Sequence, residues 1–352
     1  MSSAPDLFDA TDVRAMERAL ELAARGLETT DPNPRVGCVL QQDGEIVGEG
    51  WHARAGEAHA EVRALEAAGS RARGATAYVT LEPCSHFGRT PPCTDALIDA
   101  GVARVIFATE DPNPEVHGRG AERLRSAGIR VDQGPCAEAA EELNIGFFKR
   151  MRTGLPFVRL KLAMSLDGRT ALANGESRWI TGDEARADVQ RWRARSSAVL
   201  TGIGTVLADD PRLDVRSTPD ARQPMRVVLD SRGRMPSSAR LFESRGQVLT
   251  FGAATSTDPG DLSAVLAALG RLKCNEVLVE AGARLAGSFI RDGLVDELIL
   301  YVAPIFLGPQ ARALADLPPL DALSAAPRFA LRDTRQIGPD LRIILRRAAA
   351  AT

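Results

Sequence analysis

The chain has 352 residues, 44 lysines and arginines against 46 aspartates and glutamates, and a formal net charge of −2. That balance excludes the basic footprint of a non-specific nucleic-acid binder, and 44% hydrophobic with 26% charged residues is an ordinary globular composition. No window approaches the roughly 18 uncharged apolar residues of a membrane span, the first twelve residues lack a signal-peptide core, and five sparse cysteines argue against a disulfide framework, so a cytoplasmic protein is expected.

The length predicts two domains, with a boundary at Arg152-Thr-Gly-Leu-Pro156, where a turn signal separates a helical run from a new apolar strand. The expected division is 1–151 and 152–352. In the first part, helical spacing covers 13–27, 61–68, 94–100, 121–127 and 137–151, while short apolar runs predict strands at 36–40, 45–51, 77–81, 102–108 and 129–131. Alternation of this kind predicts a three-layer α/β sandwich. The second part predicts strands at 157–163, 198–202, 226–229, 247–251, 276–280, 297–303, 329–336 and 341–346. Helices fit 183–195, 261–269 and 283–292. Asp-Pro-Asn-Pro occurs at 31–34 and again at 111–114, and its composition makes two turns of like chemistry.

All four histidines lie in the first third of the chain, as does the group His59-Ala60-Glu61, Pro83-Cys84 and Cys93. One imidazole and two thiols suit Zn²⁺ and leave its fourth tetrahedral position to water. Zinc acidifies that water, and Glu61, two residues past His59, is placed to carry its proton to a leaving amine, as in His-x-Glu…Pro-Cys base deaminases. Cys38, Cys136 and Cys274 read as small hydrophobes. The pattern departs from Pro-Cys-x-x-Cys: eight residues, 85–92, separate the two thiols. That loop carries His86 and Arg89, both able to hold a polar or anionic part of a substrate.

The second part has no Gly-x-Gly-x-x-Gly after its first strand, so a Rossmann reading fails. Gly202-Ile-Gly-Thr205 suits a ligand turn and a plain strand-to-loop turn equally. Glu280-Ala-Gly282 joins a strand to a helix whose first amides can cradle a phosphate. Lys161 on an apolar strand is unusual, because a buried lysine is rare without a partner.

The strings DPNPRVGCV (31–39), AGEAHAEVRAL (55–65) and TLEPCSHFGRTPPC (80–93) resemble the bacterial bifunctional deaminase-reductase of riboflavin biosynthesis. The long cysteine spacing is that family's own form. The resemblance continues through NIGFFKRMRTGLPFVRLKLAMSLDGRTA (144–171) and VEAG (279–282) and covers nearly the whole chain. It implies a cytidine-deaminase-like sandwich followed by a dihydrofolate-reductase-like α/β domain that binds NADPH without the Rossmann fingerprint. The implied reactions are deamination of a diamino-hydroxy-pyrimidine ribosyl phosphate, then reduction of its ribosyl carbon to a ribityl chain.

By the same resemblance His59, Cys84 and Cys93 bind zinc and Glu61 shuttles the proton. Asn33, His52, His86 and Arg89 line the first substrate pocket, although Asn33 also suits a plain turn and His52 a satisfied strand end. Ala163, Trp179, Thr205, Asp209, Ser231 and Gly282 fall at NADPH contacts. Ser177, Arg193, Leu213, Arg216 and Glu280 fall at substrate contacts, with Lys161 on the strand lining the same site as a substrate contact or proton donor. Arg193 and Arg216 can fork onto a substrate phosphate. Trp179 can pack on a flat ring or belong to the core. Ser231, with Arg232 and Arg234 beside it, is the candidate for the extra phosphate that sets NADPH apart from NADH. The implied partners are a phosphorylated pyrimidine and further copies of the chain, with neither nucleic acid nor membrane.

Two other functions are open to the residues alone. A deaminase of nucleosides or RNA with an inert second half is disfavoured by the acidic balance and the long cysteine loop. A structural zinc site would need a fourth protein ligand, Cys38 or His86, and leaves Glu61 without a use.

Overall fold

The structure is a computed structural model that describes residues 8–85, 91–114, 116–217, 221–252 and 257–348. The chain forms two compact units, Met1–Thr153 and Gly154–Thr352. No helix among the described residues is long and apolar enough to cross a membrane.

The first unit runs α1 (Ala10–Ala24), β1 (Gly37–Gln42), β2 (Glu45–Trp51), α2 (Ala60–Ala68), β3 (Thr76–Val79), α3 (Cys93–Ala100), β4 (Arg104–Phe107), α4 (Arg119–Ser126), β5 (Arg130–Gln133), α5 (Ala137–Leu143) and α6 (Ile145–Thr153). Its sheet has the order β2-β1-β3-β4-β5, antiparallel around β1 and parallel from β3 to β5. Strand alternation sends Cys38, Leu40, Ala77, Val79, Val105 and Phe107 to one face with Ala64, Leu97 and Leu124 of α2, α3 and α4. Val39, Tyr78 and Ile106 face the other way, against Met16, Ala19 and Ala140 of α1 and α5. The unit is the three-layer sandwich expected from the sequence.

Local chemistry fixes the starts of α1 and α2. Asp9 caps α1 through the amides of Thr11 and Asp12, with Asp12 returning a bond to the Asp9 amide. On β2, a side chain at Gly50 would land on the Ala60 carbonyl oxygen. The missing Cβ lets the start of α2 lie directly on the strand, which fixes His59 and Glu61.

The single helix expected over 137–151 is two, α5 and α6, broken at Asn144. Asn144 is buried, and its amide accepts from the Arg35 N–H at 2.8 Å and donates to the Arg35 carbonyl at 2.9 Å. This two-way latch holds the segment after Asn33 at the junction of the two helices.

The second unit contains β6 (Phe157–Ser165), β7 (Arg169–Ala171), α7 (Asp183–Arg195), β8 (Ala198–Gly202), α8 (Ile203–Asp209), β9 (Met225–Asp230), β10 (Val248–Gly252), α9 (Leu262–Arg271), β11 (Glu276–Glu280), α10 (Ala283–Arg291), β12 (Glu297–Ala303), β13 (Arg312–Ala313), β14 (Phe329–Ile337) and β15 (Asp340–Arg347). Its main sheet has the order β10-β9-β8-β11-β6-β12-β15-β14. Pairing is parallel from β10 to β12 and antiparallel beyond. Every residue of β12 is buried, as suits a strand inside a parallel sheet. Helices α9 and α10 cover one face through Val265, Leu266, Leu269, Ala286 and Phe289. Helix α7 covers the other through Ala185, Val189 and Trp192.

From β6 the chain moves to one side, through β8, β9 and β10. It then returns through β11 to β12 on the other. Such a reversal leaves a ligand crevice outside the carboxyl ends of the strands. Gly202 and Gly282 stand there, at the starts of α8 and α10. Gly202-Ile-Gly-Thr205 therefore opens a short helix, where the sequence suggested only a turn.

Candidate active sites

In the first unit His59 is the N-cap of α2, Cys93 opens α3, and Cys84 follows β3. The His59 Nδ1 lies 3.0 Å from the Cys93 Sγ and 3.7 Å from the Cys84 Sγ, and the two sulfurs are 3.4 Å apart. These three ligand atoms lie within 4.8 Å of one another and form the one His/Cys/Asp/Glu group among the described residues able to hold a metal ion. The Cys84 carbonyl accepts from both the amide and the hydroxyl of Thr94, at 3.2 Å each. The head of α3 thereby holds the loop that brings the two thiols together.

Electrostatics single out the same group. The Cys84 thiol is held well below the ordinary thiol range, first by its contact with Cys93 and then by His59. Cys93 is pushed up by that contact and by burial. His59 is raised by its bond to Cys84. Glu61 is buried at 3% exposure, and burial raises its carboxyl above the usual range. A cation bound to the thiolates would draw that carboxyl back towards its charged form. The donor set, one nitrogen and two sulfurs, fits zinc in chemistry and in number.

His52 packs edge-on against His59, with ring centres 5.2 Å apart. Its Nδ1 is 3.2 Å from the Ala58 carbonyl and its Nε2 3.1 Å from the Asn33 Nδ2. A carbonyl only accepts, so Nδ1 carries the proton and Nε2 accepts from Asn33. Burial lowers the His52 pKa, which keeps the ring neutral. Asn33 and His52 thus join the metal group, while His86 and Arg89 lie outside the described residues.

Sequence reading missed two neighbours. Asp111 is buried, and burial first, then the charges of Glu82 and Cys84, push its carboxyl up to about 6. Glu82 is also buried, and among the described residues its carboxylate is bonded by backbone N–H groups. No spacing rule marks either, since one sits in a turn motif and the other in the irregular segment after β3. A cavity of about 570 Å³ behind the loop after β4 is lined by Glu110, His117, Arg119, Glu141 and Arg152 but by none of the metal group. Arg152 is paired with Glu141, and His117 lies 3.7 Å from Glu110. This cavity is not the chemical centre.

In the second unit Lys161 and Glu280 are register partners on β6 and β11. Arg193 of α7 forks onto Glu280 at 2.6 and 2.9 Å and donates to the Asp214 carbonyl at 3.2 Å. Its fork is thus closed on a carboxylate and not open to a phosphate. Arg216 is half-exposed and pairs with Asp214, and Leu213 is buried beside it at positive φ. Burial would raise Glu280, but Arg193, Lys161 and Arg216 outweigh it and hold the carboxyl below its usual range. Burial depresses Lys161, whose Nζ sits 5.8 Å from the Tyr301 ring centre.

Trp179 is 68% exposed, so its core reading does not hold. Arg186 stacks on its ring at 4.3 Å, and neighbouring Arg178 bonds the Asp209 carbonyl. Residues 177–179 and the end of α8, with Thr205 one turn earlier, are therefore tied together. Ala163 pairs with Tyr301 beside the Lys161 register. A Cβ on Gly282 would meet open space, and one on Gly202 would touch Leu285 of α10 at 3.4 Å. The two glycine turns thus adjoin. Ser231, Arg232 and Arg234 are exposed on the turn after β9, shaped by an Asp230 side chain that accepts from the Met235 amide at 2.8 Å.

The comparisons with known proteins converge on one family. Residues 9–109 match the cytidine and deoxycytidylate deaminase zinc-binding region, and residues 156–343 match the RibD C-terminal domain. The Escherichia coli (strain K12) riboflavin biosynthesis protein RibD is 52% identical, over 93% of this chain and 96% of its own length. Its Haemophilus influenzae counterpart is 50% identical over 96% and 97%. The Acinetobacter baumannii RibD structure superposes with a TM-score of 0.93 at 48% identity, covering 96% of this chain and 99% of that one. A Thermotoga maritima structure, described as a diaminohydroxyphosphoribosylaminopyrimidine deaminase / 5-amino-6-(5-phosphoribosylamino)uracil reductase, gives 0.88 at 35% identity with the same coverage. The first unit is thus a cytidine-deaminase-like sandwich and the second a dihydrofolate-reductase-like domain. The chain belongs to the RibD family, the bifunctional deaminase and reductase enzymes of riboflavin biosynthesis.

Proposed function

We propose that the first unit hydrolytically deaminates a diaminohydroxyphosphoribosylaminopyrimidine and that the second reduces the deaminated product with NADPH. The observation that carries this reading is the convergence of His59, Cys84 and Cys93 beside a buried carboxylate that is not one of them. His59 through Nδ1 and the two thiolates would hold Zn²⁺, which when bound supplies an acidified water at neutral pH. Glu61 takes the proton from that water and delivers it to the leaving amine. Burial raises its carboxyl above the ordinary range, and a bound cation would draw it back towards the charged form that accepts the proton. Neutral His52 fixes the Asn33 amide with its nitrogen inward, so the Asn33 oxygen is left to accept from a substrate N–H. His86 and Arg89 are assigned to the polar end of the same substrate.

In the second unit NADPH would supply the hydride. Trp179 offers a flat exposed face to a ring. Thr205, Asp209, Ala163 and Gly282 are assigned to the cofactor, and Ser231 with its arginines to its extra phosphate. Ser177, Leu213 and Arg216 are assigned to the substrate. Arg193 acts through Glu280, which it orients, and Lys161 donates a proton, helped by the burial that lowers its pKa. We take the protein to be a cytoplasmic homo-oligomer, which sedimentation of the full chain would check.

NADPH oxidation is the test, followed in the full chain with and without a zinc chelator. Chelation should stop turnover from the diamino substrate while the deaminated intermediate is still reduced. Loss of both activities together, or of neither, contradicts the division of labour. The same assay should show NADPH preferred over NADH, with the preference narrowed in Arg232→Ser. Equal efficiency with both cofactors removes the role given to Ser231 and its neighbours.

A further inference from the structure

Glu82 lies three residues past β3 and two before Cys84, and it is 3% exposed. Oε1 accepts from the amides of Gly120 at 3.0 Å and Ala121 at 3.2 Å. Oε2 accepts from the amides of Gly118 at 3.0 Å and Asp111 at 3.4 Å. Gly118 is the N-cap of α4, and Gly120 and Ala121 lie in its first turn, so the carboxylate takes amides that have no partner within the helix. The backbone adds to this contact. The Glu82 amide donates to the Thr109 carbonyl at 3.0 Å. A Cβ on Gly120 would land on the Pro83 carbonyl oxygen, so α4 lies directly on the peptide that precedes Cys84.

We infer that Glu82 is a positioning residue for the deaminase reaction. It bolts Asp111, Gly118 and the start of α4 onto the Pro83-Cys84 segment. That sets the Cys84 thiol opposite His59 and Cys93 and places the Asp111 carboxyl beside it. The start of α4 is thereby filled by the protein's own anion and is closed to a substrate phosphate. Cys84 is held from two sides, by α3 at its carbonyl and by α4 through Glu82.

This inference rests on the zinc reading above, and its test keeps the two apart. Glu82→Gln has nearly the same shape but replaces one oxygen by an NH₂ group. Whichever way the amide turns, two backbone N–H groups then face a donor. Gly120→Ala leaves the carboxylate intact and lifts α4 off Pro83. Zinc affinity of the full chain is read by competition with a chromogenic chelator, and deaminase and reductase rates are measured on the same samples. Both variants should bind zinc about 10–100-fold more weakly, the usual effect of losing a partner that orients a metal ligand. Deaminase kcat should fall with it while the reductase rate is unchanged. Wild-type zinc affinity and deaminase rate in Glu82→Gln overturn the inference. So does parallel loss of both activities in the two variants, which marks a general folding role. If the unsubstituted protein binds no zinc, the metal reading itself fails.

Discussion

Glu61→Gln is expected to abolish deamination while the protein keeps its zinc and its reductase activity. Glutamine fills the same buried space at the second position of α2 but cannot accept and return a proton. General acid-base groups contribute about 10²–10⁴-fold, so deaminase kcat should fall by that factor. The three ligand atoms belong to His59, Cys84 and Cys93, which is why metal content should stay at the wild-type level. A variant that loses zinc together with activity would make Glu61 a ligand or a structural strut. A variant that deaminates at the normal rate would place the proton carrier elsewhere, and Asp111, buried and within the field of Cys84, is the next carboxyl to substitute.

The largest expected effect on stability lies at the other end of the second unit's sheet. Arg159 of β6 is almost fully buried, pairs with Glu276 of β11, and bonds Glu297 of β12 at 2.7 Å. Its guanidinium stacks on Phe157 at 4.8 Å and on Trp192 at 5.5 Å. Removing one member of a buried ion pair costs about 3–5 kcal/mol, mostly because the remaining charge is left uncompensated. Here Glu276 keeps Arg195 at 3.0 Å and Glu297 keeps Arg346 at 2.6 Å. Arg159→Met should therefore fall at the low end, about 3 kcal/mol, which for a unit of this size lowers Tm by about 6–12 °C.

The pH dependence of that variant has a fixed sign. Burial would raise the Glu297 carboxyl, but Arg159 and Arg346 outweigh it and hold the folded-state pKa below the ordinary value. The resulting stabilisation is complete above the unfolded pKa of roughly 4.3 and is lost as pH falls through the lower folded value. Without Arg159 the folded pKa moves up, so acid unfolding of this unit should begin at higher pH. Differential scanning calorimetry at neutral and acid pH checks both statements. An unchanged Tm would show that Met packing replaces the ion pair fully.

Most of the fold was legible because apolar period and burial agree. The runs 198–202, 276–280 and 297–303 are strands at those residues, and 183–195 is a helix at its residues. What escaped the sequence depends on distant partners. The junction at Asn144 is latched to Arg35, 109 positions away. The fork of Arg193 onto Glu280 joins residues 87 positions apart, so a guanidinium that sequence reading offered to a phosphate is already satisfied. The metal group could be read in advance because its residue types are chemically narrow and His59-x-Glu61 and Pro83-Cys84 are short local motifs, even though Cys93 follows at an unusual distance. Lys161 stood out because a charge inside an apolar strand needs a reason. Glu82 did not, since a carboxylate bonded by backbone amides leaves no trace in the partners' side chains.

Zinc K-edge absorption on the full-length protein, with metal content measured on the same sample, bears most directly on the open zinc site. The expected result is one zinc per chain, bound by two sulfurs at about 2.3 Å, one imidazole nitrogen and one light oxygen donor that is not from the protein. A protein without stoichiometric zinc, or a zinc closed by four protein ligands, would contradict it.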